Sequence, residues 1–281
     1  FQKQKGLSFT LVQFLLLIAA YYSINNKFSP SYSAYTLNEF TNIFKFILLV
    51  GSLMIFHYTY KHLKFLKILK IEYFTISLLG LIGTMIMISA NSLLMLYLGI
   101  ELLSLSLYAL IGFNKKSSLS SEAAIKYYVL GAMSSGILLF GISLIYGFTG
   151  SIAYDDIASQ LINIDMDSVD YIAIIFGIIF ITASLCFKFG AAPFHMWVPD
   201  VYQGSLISTT ILLSTLPKIA VFIVFLKLYF IPFILLREVW SDILIFVGML
   251  SIVIGSLFAL TQENIKRLLA YSAISNIGFI I

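Results

Sequence analysis

Cysteine is almost missing from this sequence. Its single copy, Cys186, lies in an apolar run, which excludes an intrachain disulfide and any cysteine-held cluster. Histidine is nearly as scarce. There are three copies and no pair on one helix face, so the chain has little with which to hold a metal ion or haem. Charge is scarce too: 11% of the 281 residues are Asp, Glu, Lys or Arg, against about 25% in soluble domains. The net charge of +4 is small and spread along the chain, which gives no footing for nucleic acid. Period-two alternation is absent, which argues against a β-barrel. Phe1–Gly6 is too short and polar for a signal peptide, and no cleavage site follows it. Because residue 1 is Phe rather than Met, the numbering is expected to begin inside a longer product.

What is abundant is hydrocarbon. Hydrophobic residues make up 60% of the chain and the mean hydropathy is +1.00. A globule this apolar has too little polar surface to stay dissolved, so lipid must be part of its solvent. A spanning helix needs about 20 apolar residues. That ruler predicts spans at Leu7–Ile24, Phe40–Tyr58, Tyr73–Ala90, Ser92–Phe113 (after a short turn at Asn91), Ala123–Gly147, Tyr171–Ala192, Leu206–Ile231 and Trp240–Thr261. A ninth begins near Lys266 and is cut off at Ile281. The connections Asn25–Asn38, Lys61–Glu72, Asn114–Ser121 and Thr149–Asp170 are short and polar. The expected fold is an all-α polytopic membrane protein, one membrane domain with no soluble one.

Threading these spans alternately puts Lys3, Lys5, Lys61, Lys64, Lys67, Lys70, Lys115, Lys116, Lys266 and Arg267 on one side. The other side receives Lys27, Lys227 and Arg237, with Lys45 near its edge, and the acidic loop with Asp155, Asp156, Asp165, Asp167 and Asp170. Basic loops stay on the cytoplasmic or matrix side. The amino terminus is therefore expected there, in the mitochondrial inner membrane or, alternatively, a bacterial inner membrane. The abundance of Ile, Leu, Phe, Tyr, Lys, Asn and Ser suits an AT-rich genome, as in many mitochondria.

Four charges fall inside the predicted spans: Glu101, Lys126, Lys188 and Lys218. Each costs about 2.5–3.5 kcal/mol at a helix centre. They must therefore face protein, water or one another. Burial lowers a lysine's pKa and a nearby carboxylate raises it again, so a Glu–Lys pair of variable separation is a protonation switch. Glu101 and Lys218 are nearly central in their spans, and Pro217 is expected to kink the helix before Lys218. Both fit a proton relay; the alternatives are a Glu101 carboxyl hydrogen-bonded between helices and a Lys218 that pairs structurally with Glu101. Lys126 lies about one turn inside its helix and fits either a relay or snorkelling to the basic side. Lys45, shallower still, is expected to snorkel.

Lys188 precedes Gly190 and Pro193, which break a helix partway. Lipid cannot satisfy the backbone groups freed by a break, so it must lie in protein or beside water, and such breaks are the usual ion sites of transporters. His195 follows and fits two roles, passing protons or satisfying the freed carbonyls. Asp200 and Tyr202 are expected to shape the turn after the break.

Three stretches together resemble a known family: Leu98–Tyr108, Ser121–Gly136, and Lys188–Gly204 with Pro217-Lys218-Ile219-Ala220 after it. They resemble the antiporter-like subunits of respiratory complex I, NADH–ubiquinone oxidoreductase, and within them the subunit 2 family (the N subunit in bacteria). The likeness runs from about Tyr73 to Ile281. It implies inverted five-helix repeats, each with one broken helix, and proton translocation driven by quinone reduction elsewhere. It maps the family's acidic residue onto Glu101 and its channel lysines onto Lys126, Lys188 and Lys218. It implies no cofactor in this chain, with FMN, iron–sulfur clusters and ubiquinone in other subunits, and other membrane-arm subunits as partners. On this likeness residues 1–72 are amino-terminal helices, 73–231 the first repeat, and 232–281 the start of a second. The second repeat's own broken helix and outermost lysine are not in the sequence, so a second chain completing the fold, or a longer polypeptide, is expected. Two other functions remain open: a subunit of a multi-subunit cation/proton antiporter, and a membrane scaffold that moves no protons.

Overall fold

Each apolar run folds as an α-helix, because lipid offers no partners for backbone N–H and C=O groups and a helix satisfies them within one segment. The computed structural model describes residues 2–25, 31–32, 34–162, 164 and 168–281. Phe1, Lys27, Asp165 and Asp167 lie outside these residues, as do the side chains of Lys3 and Lys5. The elements in order are α1 (Gln2–Asn25), β1 (Ser31–Tyr32), β2 (Tyr35–Thr36), α2 (Glu39–Phe65), α3 (Ile71–Ser89), α4 (Leu93–Ile111), α5 (Ser118–Thr149), α6 (Tyr154–Leu161), α7 (Val169–Phe189), α8 (Trp197–Gly204), α9 (Ile207–Phe230), a 3-10 turn (Ile234–Leu236), α10 (Arg237–Leu260) and α11 (Ile265–Ile280). Helices α2, α3, α4, α5, α7 and α9, and the stretch Ile234–Leu260 that contains α10, are long and apolar enough to cross a membrane. The expected first and ninth spans are helical as well.

Polar residues start these helices where the sequence leaves the apolar runs. Asn38 and Thr41 cap α2 reciprocally, and Ser92, Ser117 and Ser168 accept hydrogen bonds from the first turns of α4, α5 and α7. The principal seams join α3 to α4, α5 to α7 and α10 to α11, while α9 packs on α2, α3 and α7. At the α3–α4 seam a Cβ on Gly83 would meet Leu103 N at 2.7 Å, so only glycine allows the backbones so close. That approach fixes the height of α4, which carries Glu101.

The ends of the helices gather into two layers, as the alternating thread requires. In one layer Lys266 Nζ donates to Ser205 O (2.8 Å) and Arg267 pairs with Asp200 on α8. In the other, single β-bridges join Tyr35 to Ala90 and Ser92 to Ala153. Two features were not expected. A short hairpin, β1–β2, stands between helices α1 and α2. The acidic loop Thr149–Asp170 contains helix α6, which buries Tyr154, Ile157 and Leu161 on one face. Those residues recur at helical spacing, but eight residues are too few for a periodicity reading.

The break after Lys188 has the expected character. Gly190 closes α7 in the left-handed region (φ 83°), with its N–H bonded to Cys186 O and Phe187 O. Ala191 N bonds to Cys186 O, and Ala192 N donates to Ser251 Oγ on α10 (2.8 Å). Trp197 Nε1 donates to Phe187 O (2.9 Å). Freed backbone groups thus find partners within protein. Helix α9 runs uninterrupted through Pro217.

Candidate functional site

Glu101, Ser104 and Tyr108 stand at i, i+3 and i+7 on α4 and so share one face. Lys188 reaches that face from the last turn of α7. Its ammonium donates to Ser104 Oγ at 2.7 Å, and Ser104 in turn donates its own hydroxyl hydrogen to Ile100 O (2.6 Å). Lys188 and Ser104 are both buried. Lys188 makes no direct ion pair with Glu101; its hydrogen bond goes to Ser104. Glu101 Oε1 is shut away from solvent and takes no hydrogen bond from the protein, and the same holds for the Tyr108 hydroxyl. Gly131 of α5 makes room for that hydroxyl: a Cβ there would stand 2.1 Å from it. Aromatic rings close the site. Tyr127 packs on Tyr108 (5.2 Å) and Trp197 (4.6 Å), and Phe187 lies 5.8 Å from Lys188 Nζ.

Lys218 lies midway along α9, with its ammonium 5.8 Å from the centre of the Tyr202 ring, a cation–π contact. It pairs with neither Glu101 nor Lys188, so the structural Glu101–Lys218 pair is not formed. Tyr202, expected to shape the turn, is instead the partner of Lys218, and its own hydroxyl is buried without a hydrogen bond. A crevice of about 380 Å³ between α9 and α11 runs beside it, bordered by Tyr202, Thr210, Ser214, Lys266, Ser272 and Asn276.

Lys126 departs from the buried set. It is exposed and forms ion pairs with Glu122 (2.8 Å) and Asp200 (2.9 Å), and Asp200 also binds Arg267 (2.9 Å). This cluster ties α5, α8 and α11 together. Burial pushes the Asp200 carboxyl up, but the Lys126 and Arg267 charges outweigh it and hold the group below the usual carboxylate range. His195 is half-buried between α7 and α8, with its ring 6.5 Å from Tyr271. No hydrogen bond joins it to Glu101, Lys188 or Lys218. Its backbone carbonyl accepts from Val198 N.

At the opposite end two further lysines are buried. Lys227 Nζ donates to Ala90 O (2.5 Å), Ile88 O (3.1 Å) and Thr36 Oγ1 (3.2 Å). All three ammonium donors are thereby met, two of them by carbonyls at the carboxyl end of α3, where a cation is favoured. Lys45 is 7% exposed and donates to the Tyr35 hydroxyl (3.1 Å), so its ammonium is held by protein near the start of α2. The signal for Lys227 was its place in the last turn of an apolar helix; its partners lie 137 or more residues away in sequence.

Comparison with known proteins places these features in a family. The model described as NADH:quinone oxidoreductase/Mrp antiporter, TM, matches residues 90–281. The NADH-quinone oxidoreductase subunit N of Ruthia magnifica subsp. Calyptogena magnifica is 42% identical over 98% of this chain and 58% of its own length. That of Azoarcus sp. (strain BH72) is 38% identical over 99% of this chain and 57% of its own. The chain thus spans somewhat less than three fifths of these relatives. Among solved structures, a chain of respiratory complex I from Thermus thermophilus with bound aureothin superposes with a TM-score of 0.77 at 28% identity, covering 99% of this chain and 58% of that one. A chain of the Mrp complex from Dietzia sp. DQ12-45-1b shares the fold, with a TM-score of 0.80 at 19% identity, covering 98% and 52%. With its site around the buried Lys188, its broken helix and identities near two fifths along almost all its length, this chain belongs to the NADH:quinone oxidoreductase/Mrp antiporter family of membrane subunits.

Proposed function

We propose that this chain is a proton-translocating subunit in the membrane arm of an NADH:quinone oxidoreductase. The observation that carries the reading is Lys188 held on Ser104, beside a Glu101 carboxylate oxygen that has no hydrogen-bond partner. A part-buried carboxylate with an unpartnered oxygen and a buried amine bonded elsewhere can exchange a proton for a small displacement, which a tight ion pair resists. Glu101 and Lys188 would hold the proton midway across, and Lys218 on Tyr202 would be the next carrier. The break at Gly190 supports this, because it lets Lys188 end a helix inside protein. Lys126 and His195 would act at the basic end, Lys126 by holding α8 in place.

The chain would supply no redox group; flavin, iron–sulfur clusters and quinone would belong to other subunits of the assembly. Its neighbours would be other membrane-arm subunits, and the part of the relatives' length beyond the match would supply the rest of the second repeat, whether in this polypeptide or in a second chain. The bacterial relatives support a bacterial inner membrane over the mitochondrial one, with the basic helix ends in the cytoplasm.

Isolation of the assembly through a tag on this chain tests the reading. The expected material contains flavin and iron–sulfur clusters, reduces quinone with NADH and acidifies one side of a vesicle as it does so. A tagged assembly without those groups that exchanges cations for protons would make the chain an antiporter subunit. One that reduces quinone at a full rate without moving protons would make it a scaffold.

A further inference from the structure

Ser104 is uncharged, yet it is the group that ties Lys188 to α4. We propose that Ser104 is a positioning residue whose hydroxyl seats the Lys188 amine and keeps it off the Glu101 carboxylate, so that the pair stands open. The proposal rests on the proton-translocating reading above.

The geometry sets what each group can do. Ser104 gives its hydroxyl hydrogen to Ile100 O, so toward Lys188 it can only accept. An ammonium and a neutral amine both have an N–H to offer, so a hydroxyl seat holds Lys188 in either state. A carboxylate seat differs, because it favours the ammonium and retains the proton. Glu101 lies one turn away on the same face of α4, about 5–6 Å between Cβ atoms, within the sweep of a lysine side chain. Its Oε1 is free to receive Lys188. Two seats therefore face one amine, and the structure has it in the uncharged one. The ionisable groups on the elements around Lys188 are Tyr97, Glu101 and Tyr108 of α4, Glu122, Lys126, Tyr127, Tyr128 and Tyr146 of α5, Asp200 and Tyr202 of α8, Lys218, Lys227 and Tyr229 of α9, and Asp170, Tyr171 and Cys186 on α7 itself. Helix α10 carries its own, Arg237, Glu238 and Asp242, in its first turns. Of all these, Glu101 is the acid on the face of α4 that holds Lys188, with an oxygen open to it.

Replacing the seat should close the pair. In Ser104→Ala the open anionic acceptor on that face is Glu101, and Lys188 swings onto it. The lysine then gives up its proton only at higher pH. The test uses the whole assembly in proteoliposomes, with proton pumping and quinone reduction followed from about pH 6 to about pH 9. In Ser104→Ala the limb that rises with pH should move up by about one unit, a loss of about ten-fold in turnover on that limb. Ser104→Thr, which keeps the hydroxyl, should stay within about two-fold of the parent. An assembled Ser104→Ala with the parent's profile overturns the proposal. If Ser104→Ala does not assemble, Ser104→Cys carries the test. Its weaker acceptor should move the limb the same way by less, and an unmoved limb overturns the proposal. Lys188→Ala separates the two readings. Full pumping in that variant sinks the translocation reading itself; lost pumping together with an unshifted Ser104→Ala sinks only the seat.

Discussion

Gly131→Ala should injure this site from outside it. The added methyl would stand 2.1 Å from the Tyr108 hydroxyl oxygen, 2.9 Å from Cζ and 3.1 Å from Cε1. Non-bonded carbons sit comfortably at about 3.5–4.0 Å, so the overlap with the hydroxyl exceeds about 1 Å. Tyr108 has little room to yield, because its ring meets Tyr127 edge-on at 5.2 Å and Tyr128 at 5.4 Å. Either α5 moves away from α4 or Tyr108 leaves its rotamer. Overpacking of this kind costs about 1–3 kcal/mol. Tyr108 shares its face with Ser104 and Glu101, so the displacement also reaches the Lys188 seat. Thermal denaturation of the detergent-solubilised assembly and quinone reductase activity in membranes should both fall. Tyr108→Phe removes the closest atom and leaves Cζ at 2.9 Å, so the double variant should recover part of the loss, with a coupling of about 1 kcal/mol. A Gly131→Ala assembly as stable and active as the parent would refute the packing argument. A defect that Tyr108→Phe does not relieve would refute its assignment to this contact.

Lys227→Met should leave the Ala90 and Ile88 carbonyls without their donor and lower the stability of the assembly by roughly 1–3 kcal/mol, read as a lower melting temperature; an unchanged melting temperature would show that these bonds contribute nothing net. Asp200→Asn should loosen α8 from α5 and α11 and make activity less sensitive to salt, and equal salt sensitivity in parent and variant would rule out that role. Because the Asp200 pKa is depressed, its stabilising contribution is present above the ordinary carboxylate pKa of about 3.9 and is lost as pH falls through the lower folded value. Acid titration of the parent should therefore free α8 only below about pH 4, and release near neutrality, followed by hydrogen exchange at Trp197–Gly204, would contradict this.

The spanning helices were legible because length and apolarity are local properties: a run such as Tyr171–Cys186 can be little else in a chain this hydrophobic. The break was legible for the same reason, since Gly190 and Pro193 act on their own backbone. What pairs with what was not. Ser104 and Lys188 are 84 residues apart, and Lys126 and Asp200 are 74 apart. Depth was misleading where a lysine stood near a helix end. Lys126 was open between a relay and snorkelling to the basic side; it is exposed, with Glu122 and Asp200 holding it at the rim. Lys45 and Lys227 were assigned to an edge or a loop and are buried, because carbonyls and a phenol from other segments meet their ammonium groups. Intramembrane charge marks a residue as constrained; only the fold shows whether its partner is an acid, a hydroxyl or a helix end.

The most direct test counts protons per electron pair in proteoliposomes whose assembly carries Lys188→Ala. The variant must first be shown to assemble, by its flavin content and its migration on a native gel. The account predicts that pumping and coupled quinone reduction fall together, because alanine has no amine to take the proton from Glu101. An assembled Lys188→Ala complex that reduces quinone and pumps with the parent's stoichiometry would contradict it.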